Sequence, residues 1–322
     1  MRVFSARLFV THIRPAFRGR ILLIFLLLML MAGSRASSQT ASATATTSGR
    51  LIRLGYLSSM LAEVDRNDAK VALRVWTEHL SQEEGLKWDT ASEIYDSLDE
   101  MLKAVQERKI DMISISALDY LRIREKVPLI PEICSAWSDS PFGVELLFVR
   151  KDSGISTLAD LKSKTLIIER LATGGLPQIW IDTLLHRQGL PSHEQFFGPV
   201  KLVDKGSAAV MPVFFKQAVA CIVRETSYQT MVEMNPQIGN SLKVVEQSPK
   251  FLRSLALFRA DYPEADRKQL NRSAVKLHKS VKGQQILTLF KTEKIIPYEP
   301  AFLKTTEALL AEYQALKAKK SN

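Results

Sequence analysis

The sequence predicts an α/β protein made of two successive lobes followed by a helical C-terminal tail. Short apolar runs typical of buried strands alternate with segments of helical periodicity, once after residue 50 and again after residue 144. Such β-α-β alternation is typical of mostly parallel sheets with helices on both faces. Each round spans about 100 residues, the usual size of one domain. We therefore expect two Rossmann-like lobes.

The first lobe opens with Leu51 to Leu57, an apolar run that predicts a strand, and Asp68 to Leu80 then places its apolar residues on one helical stripe. Ser97 and Glu100 have the spacing of a capping box, which predicts a helix start. Ile110 to Ser116 predicts another strand. Because sheets of this kind bind ligands at the carboxyl ends of their strands, the loops that follow should carry the site.

The second lobe repeats the pattern. Strands are predicted at Val144 to Arg150, Thr165 to Glu169 and Ala218 to Val223, and a late strand at Leu255 to Arg259. A glycine-containing turn, Thr173-Gly174-Gly175, separates the second of these strands from a helix. This turn is a further candidate loop for binding.

Residues 1–36 predict a secretory signal peptide, which implies a periplasmic protein. Six arginines and no lysine, aspartate or glutamate occur there, and the apolar run Ile21 to Ala32 is followed by the small residues Ser34 and Ala36. The run is shorter than the roughly 20 residues of a membrane-spanning helix. We expect cleavage after Ala36, and retention of the segment as an anchor is the open alternative. Residues 37–49 are rich in Ser, Thr and Ala and predict a flexible leader.

The charge balance argues against a nucleic-acid partner. The whole chain has 44 basic and 34 acidic residues, a net charge of +10, but without the six N-terminal arginines the net charge is +4. The remaining basic residues are dispersed. Such a mild positive bias is compatible with attraction of a small anion.

Cysteine and histidine usage predicts neither a metal site nor a cofactor. Cys134 and Cys221 lie in apolar strand-like segments, where buried free thiols are common. We therefore expect two unpaired core cysteines, although export permits a disulfide. The four histidines after the signal show no zinc-ligand spacing. They are His79, His186, His193 and His278.

Several residues at strand ends are candidates for holding an oxyanion. Backbone N–H groups at helix starts favour negative charge, and small hydroxyls assist them. Tyrosines at strand ends add a hydroxyl donor to an aromatic ring. The candidate ligand-binding residues are Tyr56, Ser58, Ser59, Tyr95, Ser116, Thr173, Gly174 and Gly175.

The motifs together resemble a known family. In the first lobe they are Leu54-Gly55-Tyr56, Ile94-Tyr95-Asp96-Ser97 and Lys109-Ile110-Asp111, and in the second the segment RKDSGISTLADLKSKTLII and Glu233-Met234-Asn235-Pro236. Over Leu51 to Tyr262 the chain resembles the phosphate/phosphonate-type periplasmic substrate-binding proteins of ABC importers, within the type 2 periplasmic binding protein superfamily.

The resemblance implies two lobes joined by a two-stranded hinge that close on one oxyanion. The hinge strands are expected near Val144 to Arg150 and Leu255 to Arg259. Residues 50–145 plus 258–322 would form lobe 1 and residues 146–257 lobe 2. A monomer that delivers its ligand to an ABC permease in the inner membrane is implied, and no enzymatic activity.

Two positions depart from the resemblance and bear on the ligand. Lys216 and Val219 stand where many members of the family carry Gly and Asp. Because that Asp can pair with a ligand amine, its loss favours phosphate, phosphite or a simple phosphonate over an aminoalkyl phosphonate.

Three other functions stay open from the sequence. A periplasmic sensor that partners a membrane kinase would use the same ligand-driven closure. A binding-protein fold that has lost its ligand is compatible with Val219. An exported hydrolase is less favoured, because no GxSxG elbow occurs and the S-x-x-K match at Ser273 to Lys276 lacks its partner motifs.

Overall fold

A computed structural model describes residues 50–61, 67–71, 73–75, 88–170, 174–290 and 292–321. The predicted signal peptide (1–36), the predicted leader (37–49) and Thr173 lie outside the described residues. No helix in the described ranges is long and apolar enough to cross a membrane.

The described residues form thirteen strands. In chain order they are β1 (Arg50–Leu57), β2 (Trp88–Tyr95), β3 (Met112–Ser116), β4 (Leu129–Ala136), β5 (Phe142–Gly143), β6 (Glu145–Arg150), β7 (Leu166–Glu169), β8 (Val200–Val203), β9 (Ala220–Arg224), β10 (Leu242–Gln247), β11 (Phe251–Leu252), β12 (Ser254–Arg259) and β13 (Lys294–Pro297).

Helices connect most of these strands. They are α1 (helical residues 67–71 and 73–75), α2 (Leu98–Gln106), α3 (Ala117–Ile123), α4 (Leu176–Arg187), α5 (His193–Phe196), α6 (Gly206–Phe214), α7 (Glu225–Met234), α8 (Pro236–Ser241), α9 (Glu264–Lys276), α10 (Val281–Leu289) and α11 (Lys304–Ser321). The predicted helix start is confirmed, since Ser97 is the N-cap of α2 and its Oγ accepts the Glu100 N–H at 3.2 Å.

Two main sheets define the two lobes. The first has the spatial order β13-β4-β12-β3-β1-β2, and the second has the order β10-β6-β9-β7-β8. The parallel pairs are β1 with β2 and β3 in the first sheet, and β7 with β8 and β9 in the second. Strands β12, β13, β6 and β10 run antiparallel to their neighbours. Both sheets are therefore mixed, where the sequence predicted mostly parallel ones.

A third, two-stranded sheet connects the lobes. β5 pairs with β11 in antiparallel register, with Phe251 opposite Gly143 and Leu252 opposite Phe142. The β5–β11 pair lies just before the two segments in which the sequence placed the hinge. Those segments form β6 and β12, which belong to the two main sheets. The chain thus crosses between the lobes just before β6 and again just before β12.

The C-terminal helix contacts both lobes. The sequence assigned residues 258–322 to lobe 1, but Arg187 on α4 bonds Glu312 on α11 through two contacts of 2.6 Å. Arg124, which caps α3, bonds Glu307 on the same helix. Leu309 joins the apolar core formed with Trp180 of α4. The residue limits of the two lobes remain a prediction.

The two cysteines are free and buried, as the sequence indicated. Cys134 lies on β4 of the first sheet and Cys221 on β9 of the second. Burial raises the pKa of the Cys134 thiol to about 12, and it also raises the pKa of Cys221. Because the thiolate is the reactive form, both side chains act as core residues.

A buried carboxylate ties three strands of the first sheet together. Asp111, 3% exposed, accepts hydrogen bonds from the Arg53 backbone N–H at 3.0 Å, Nε at 2.8 Å and Nη2 at 2.7 Å. Arg259 Nη1 approaches the same carboxylate at 3.2 Å. The cluster joins β1 and β12 at the entry to β3, the end opposite the helix start at Ser116.

We expect Asp111→Ala to lower the free energy of unfolding by about 3 kcal/mol, because it leaves two partly buried guanidinium groups without their carboxylate. Urea unfolding followed by circular dichroism measures the change. The matched control is Glu264→Ala, which removes an exposed pair with Lys268 at 2.6 Å and should lower the free energy of unfolding far less, because water screens exposed ion pairs. Equal losses in the two variants would contradict this role of Asp111.

Candidate functional site

A cleft of about 940 Å³ lies between the two lobes beside the β5–β11 hinge. On the second-lobe side it is bounded by the carboxyl ends of β7 and β9 and by the starts of α6 and α7. On the first-lobe side it is bounded by Trp137, Arg253, α10 and the start of β13. The strand-to-helix edge therefore faces the opening, as expected for α/β sheets.

Two arginines, the Arg224–Arg253 pair, converge over the hinge from opposite lobes. A Cβ atom built on Gly143 would lie 3.3 Å from Arg253 Nε and 3.5 Å from Arg224 Nε. Arg224 ends β9 and Arg253 directly precedes β12. A side chain at this hinge position would crowd Arg253 and touch Arg224, so both guanidinium groups lie against Gly143.

The Arg224–Arg253 pair is incompletely neutralised by the protein. Arg253 Nε donates to the Phe142 carbonyl at 3.2 Å, whereas the buried Arg224 Nε has no hydrogen-bond partner in the described part of the chain. Burial and the nearby Arg224 lower the pKa of Arg253 to about 10. Arg253 therefore keeps its charge at neutral pH, and an anion between the two guanidinium groups would relieve their repulsion.

Glu145 lies within ion-pair range of the Arg224 guanidinium group. Its Oε1 lies 3.9 Å from Arg224 Nε, which is within ion-pair range but too long for a hydrogen bond. Glu145 is 2% exposed, and burial raises its pKa to about 7, with the attraction of Arg224 acting in the opposite direction. Near neutral pH the carboxyl is only partly ionised, so it compensates Arg224 incompletely.

A second glutamate fills the helix start where an anion could otherwise bind. Glu169, 1% exposed, accepts the Arg224 backbone N–H at 3.0 Å and the Ser227 hydroxyl at 2.9 Å, at the start of α7. A Cβ on Gly206 would lie 3.0 Å from Glu169 Oε1 and 2.8 Å from Ser227 Cβ, so only glycine fits there. The protein supplies its own anion at this helix dipole.

The described cleft walls carry more positive than negative charge. Their four basic side chains face two carboxylates, so the local field favours an anionic ligand. The charged groups are Lys205, Arg224, Arg253, Lys294, Glu169 and Glu293.

Two of the predicted residues, Ser116 and Gly174, come together at the start of α3. Ser116 Oγ accepts the Asp119 N–H at 3.0 Å and donates to Asp119 Oδ2 at 2.7 Å, while the Ala117 N–H donates to the Arg253 carbonyl at 3.2 Å. A Cβ on Gly174, whose φ is +65°, would lie 2.6 Å from Asp119 Oδ1, and the next residue, Gly175, is the N-cap of α4. Internal bonds thus occupy several of the predicted oxyanion donors.

The structure does not bring Tyr56 and Tyr95 together. Tyr56 packs into the apolar cluster that contains Phe258, whereas Tyr95 packs into the cluster on the other side of the sheet that contains Leu257. Ser58 is half-buried and Ser59 exposed in the turn after β1.

The described cleft walls include none of the predicted ligand-binding positions. Their roles as ligand contacts therefore remain predictions.

The Arg224–Arg253 pair was missed from sequence. Each arginine flanks a buried strand at its cleft end, in the segments ACIVR and RSLALF, and a charged residue at such a position is the signal that could have identified it. Arg170, which directly follows β7, is exposed and bonds Asp204 at 2.8 and 3.0 Å.

Two α/β lobes that enclose a cleft and are joined by two short hinge strands define the type 2 periplasmic binding proteins. The family described as "ABC transporter, phosphonate, periplasmic substrate-binding protein" matches residues 44–302. The chain belongs to this family of periplasmic substrate-binding proteins.

Solved structures of low sequence identity share the fold. XAC2383 from Xanthomonas citri bound to ATP has a TM-score of 0.63 at 15% identity, covering 83% of this chain and 98% of that one. PhnD1 from Prochlorococcus marinus with methylphosphonate has a TM-score of 0.58 at 14% identity, covering 81% and 97%. The aliphatic sulphonate binding protein SsuA from Escherichia coli has a TM-score of 0.53 at 13% identity, covering 84% and 88%. No curated protein matches the chain.

We expect Glu145→Gln to stabilise the protein at pH 8 by about 3 kcal/mol. The pKa of Glu145 is raised from 4.5 to about 7 by burial, so the folded wild type loses stability as the pH rises from 4.5 to 7 and stays at the lower value above pH 7. A neutral glutamine avoids this cost. Most of the difference should disappear at pH 4.5.

Denaturant unfolding of both proteins at several pH values measures this difference. The exposed Glu194→Gln is the matched control and should leave the pH profile of the wild type unchanged. A gain for Glu145→Gln that is independent of pH would show that ionisation of Glu145 does not cause it.

Proposed function

We propose that the protein captures a small oxyanion in the interlobe cleft and delivers it to an ABC permease, with the Arg224–Arg253 pair as the principal cationic contact. The observation that carries the proposal is the convergence of the two guanidinium groups on Gly143. Planar guanidinium groups bind tetrahedral oxyanions through paired hydrogen bonds. Phosphate, phosphite and simple phosphonates are the candidate ligands.

The position of the Arg224–Arg253 pair couples ligand binding to closure. Arg224 belongs to the second sheet and Arg253 adjoins the first. An anion that contacts both guanidinium groups therefore holds the two lobes together, since separation of the lobes would break one of the contacts. Ligand-dependent closure of this kind is what presents a loaded binding protein to a permease.

The ligands named for proteins of the same fold support this chemistry. XAC2383 binds ATP, PhnD1 binds methylphosphonate and SsuA binds aliphatic sulphonates. These compounds share a tetrahedral phosphorus or sulfur centre with anionic oxygens. The positive cleft of this chain suits the same group.

We expect Arg253→Gln and Arg224→Gln each to weaken binding of the cognate oxyanion at least tenfold, because a hydrogen bond to a charged group contributes about 1.5–3 kcal/mol. Isothermal titration calorimetry with phosphate, phosphite, methylphosphonate and sulfate measures the affinity, and the ligand-induced rise in melting temperature supports it. The control is Arg108→Gln, whose exposed side chain pairs with Asp261 at 2.9 Å outside the cleft. Wild-type affinity in both cleft variants would refute this site, and stabilisation by none of the four anions would refute the proposed function.

A further inference from the structure

A second, smaller cavity adjoins the cleft beneath α10. Its volume is about 120 Å³, and Leu287 and Thr292 lie on the walls of both the cavity and the cleft. Ser254 lines the cavity, while its neighbour Arg253 lines the cleft. The cavity therefore lies next to the part of the cleft that holds Arg253.

The walls of this side cavity suit an organic group. Met60, Met112 and Phe290 contribute apolar surface. The hydroxyls of two lining serines, Ser135 and Ser254, bond each other at 2.6 Å, so part of their hydrogen-bonding capacity is used within the wall. An apolar cavity of roughly 150 Å³ accepts a benzene-sized group. A cavity of about 120 Å³ thus accommodates a chain of about four to six non-hydrogen atoms.

One polar atom on the cavity wall lacks a partner. Tyr56 is 6% exposed, and its buried hydroxyl makes no hydrogen bond within the described part of the chain. Its ring is stacked on Phe290, with centroids 6.1 Å apart. A buried hydroxyl without a partner bears the full cost of its desolvation, and an acceptor on a bound ligand would remove that cost.

We propose that the ligand is a substituted oxyanion whose neutral organic group, about four non-hydrogen atoms long, enters the side cavity and accepts a hydrogen bond from Tyr56. The inference rests on the proposed function, since the anionic head stays on the Arg224–Arg253 pair. The group is uncharged, because no charged side chain lines the described part of the cavity and an unpaired ion there is costly. Among phosphonates, this selects those with a short ether or alcohol chain over methylphosphonate.

Four probes and a cavity-filling variant test where the organic group binds. The probes are methylphosphonate and three four-atom chains of equal length, butyl-, 2-methoxyethyl- and 3-hydroxypropylphosphonate. We expect Ala256→Leu to weaken the three longer probes at least tenfold while methylphosphonate stays within twofold, as measured by calorimetry. Ser114→Leu fills the cavity from a neighbouring strand and repeats the test if Ala256→Leu melts at a lower temperature. Equal effects on all four probes, or none on any, would overturn the placement.

Tyr56→Phe tests the hydrogen bond. In the wild type the better of the two oxygen-containing probes should bind about tenfold more tightly than butylphosphonate, and Tyr56→Phe should abolish that preference while leaving butylphosphonate unchanged. Tyr313→Phe, on α11, is the matched control and should retain the preference. Persistence of the preference in Tyr56→Phe would overturn the role of the hydroxyl.

The two levels of proposal fail differently. In one outcome, Arg253→Gln loses binding of every phosphonate and the wild type binds all four probes equally well. That outcome leaves the proposed function intact and rejects the side cavity. A wild type that binds no phosphonate or inorganic oxyanion rejects both.

Discussion

Two positive charges held together at the hinge are the constraint around which this cleft is organised. Arg224 and Arg253 come from different sheets and meet over Gly143, where burial and mutual repulsion already lower the pKa of Arg253 to about 10. Coulomb repulsion between such groups is strong in a partly buried site. Glu145 offsets it only in part, because burial raises its own pKa to about 7. The ligand-free protein thus keeps an electrostatic cost that an anion removes.

The alternation of apolar runs and helical stripes predicted the main elements because both signals are local. Strands β1, β3 and β9 and the N-cap at Ser97 lie close to where the sequence placed them. The antiparallel insertion of β12 and β13 was not predicted, since the pairing of Leu255 with Ile115 joins residues far apart in the chain. The predicted hinge segments lie a few residues after the observed hinge strands. β5 and β11 have only two residues each, which is too few to show a periodic pattern in the sequence.

The site was less predictable than the fold. Helix starts and small hydroxyls are sound indicators of oxyanion sites. At Ser116, however, the donors already bond Asp119 and the Arg253 carbonyl. At the start of α7 the carboxylate of Glu169 already binds. These internal partners are distant in sequence or depend on side-chain orientation, so a linear pattern does not reveal them. The Arg224–Arg253 pair likewise exists only once two lobes are folded and joined.

The last helix bears on any movement of the two lobes relative to each other. α11 is fastened to α3 through Arg124 and Glu307 and to α4 through Arg187 and Glu312. α11 therefore connects the two lobes at a second place, in addition to the β5–β11 crossover. A rotation of one lobe about that crossover would displace α11 from α3 or from α4, and it would therefore strain one of these two ion pairs.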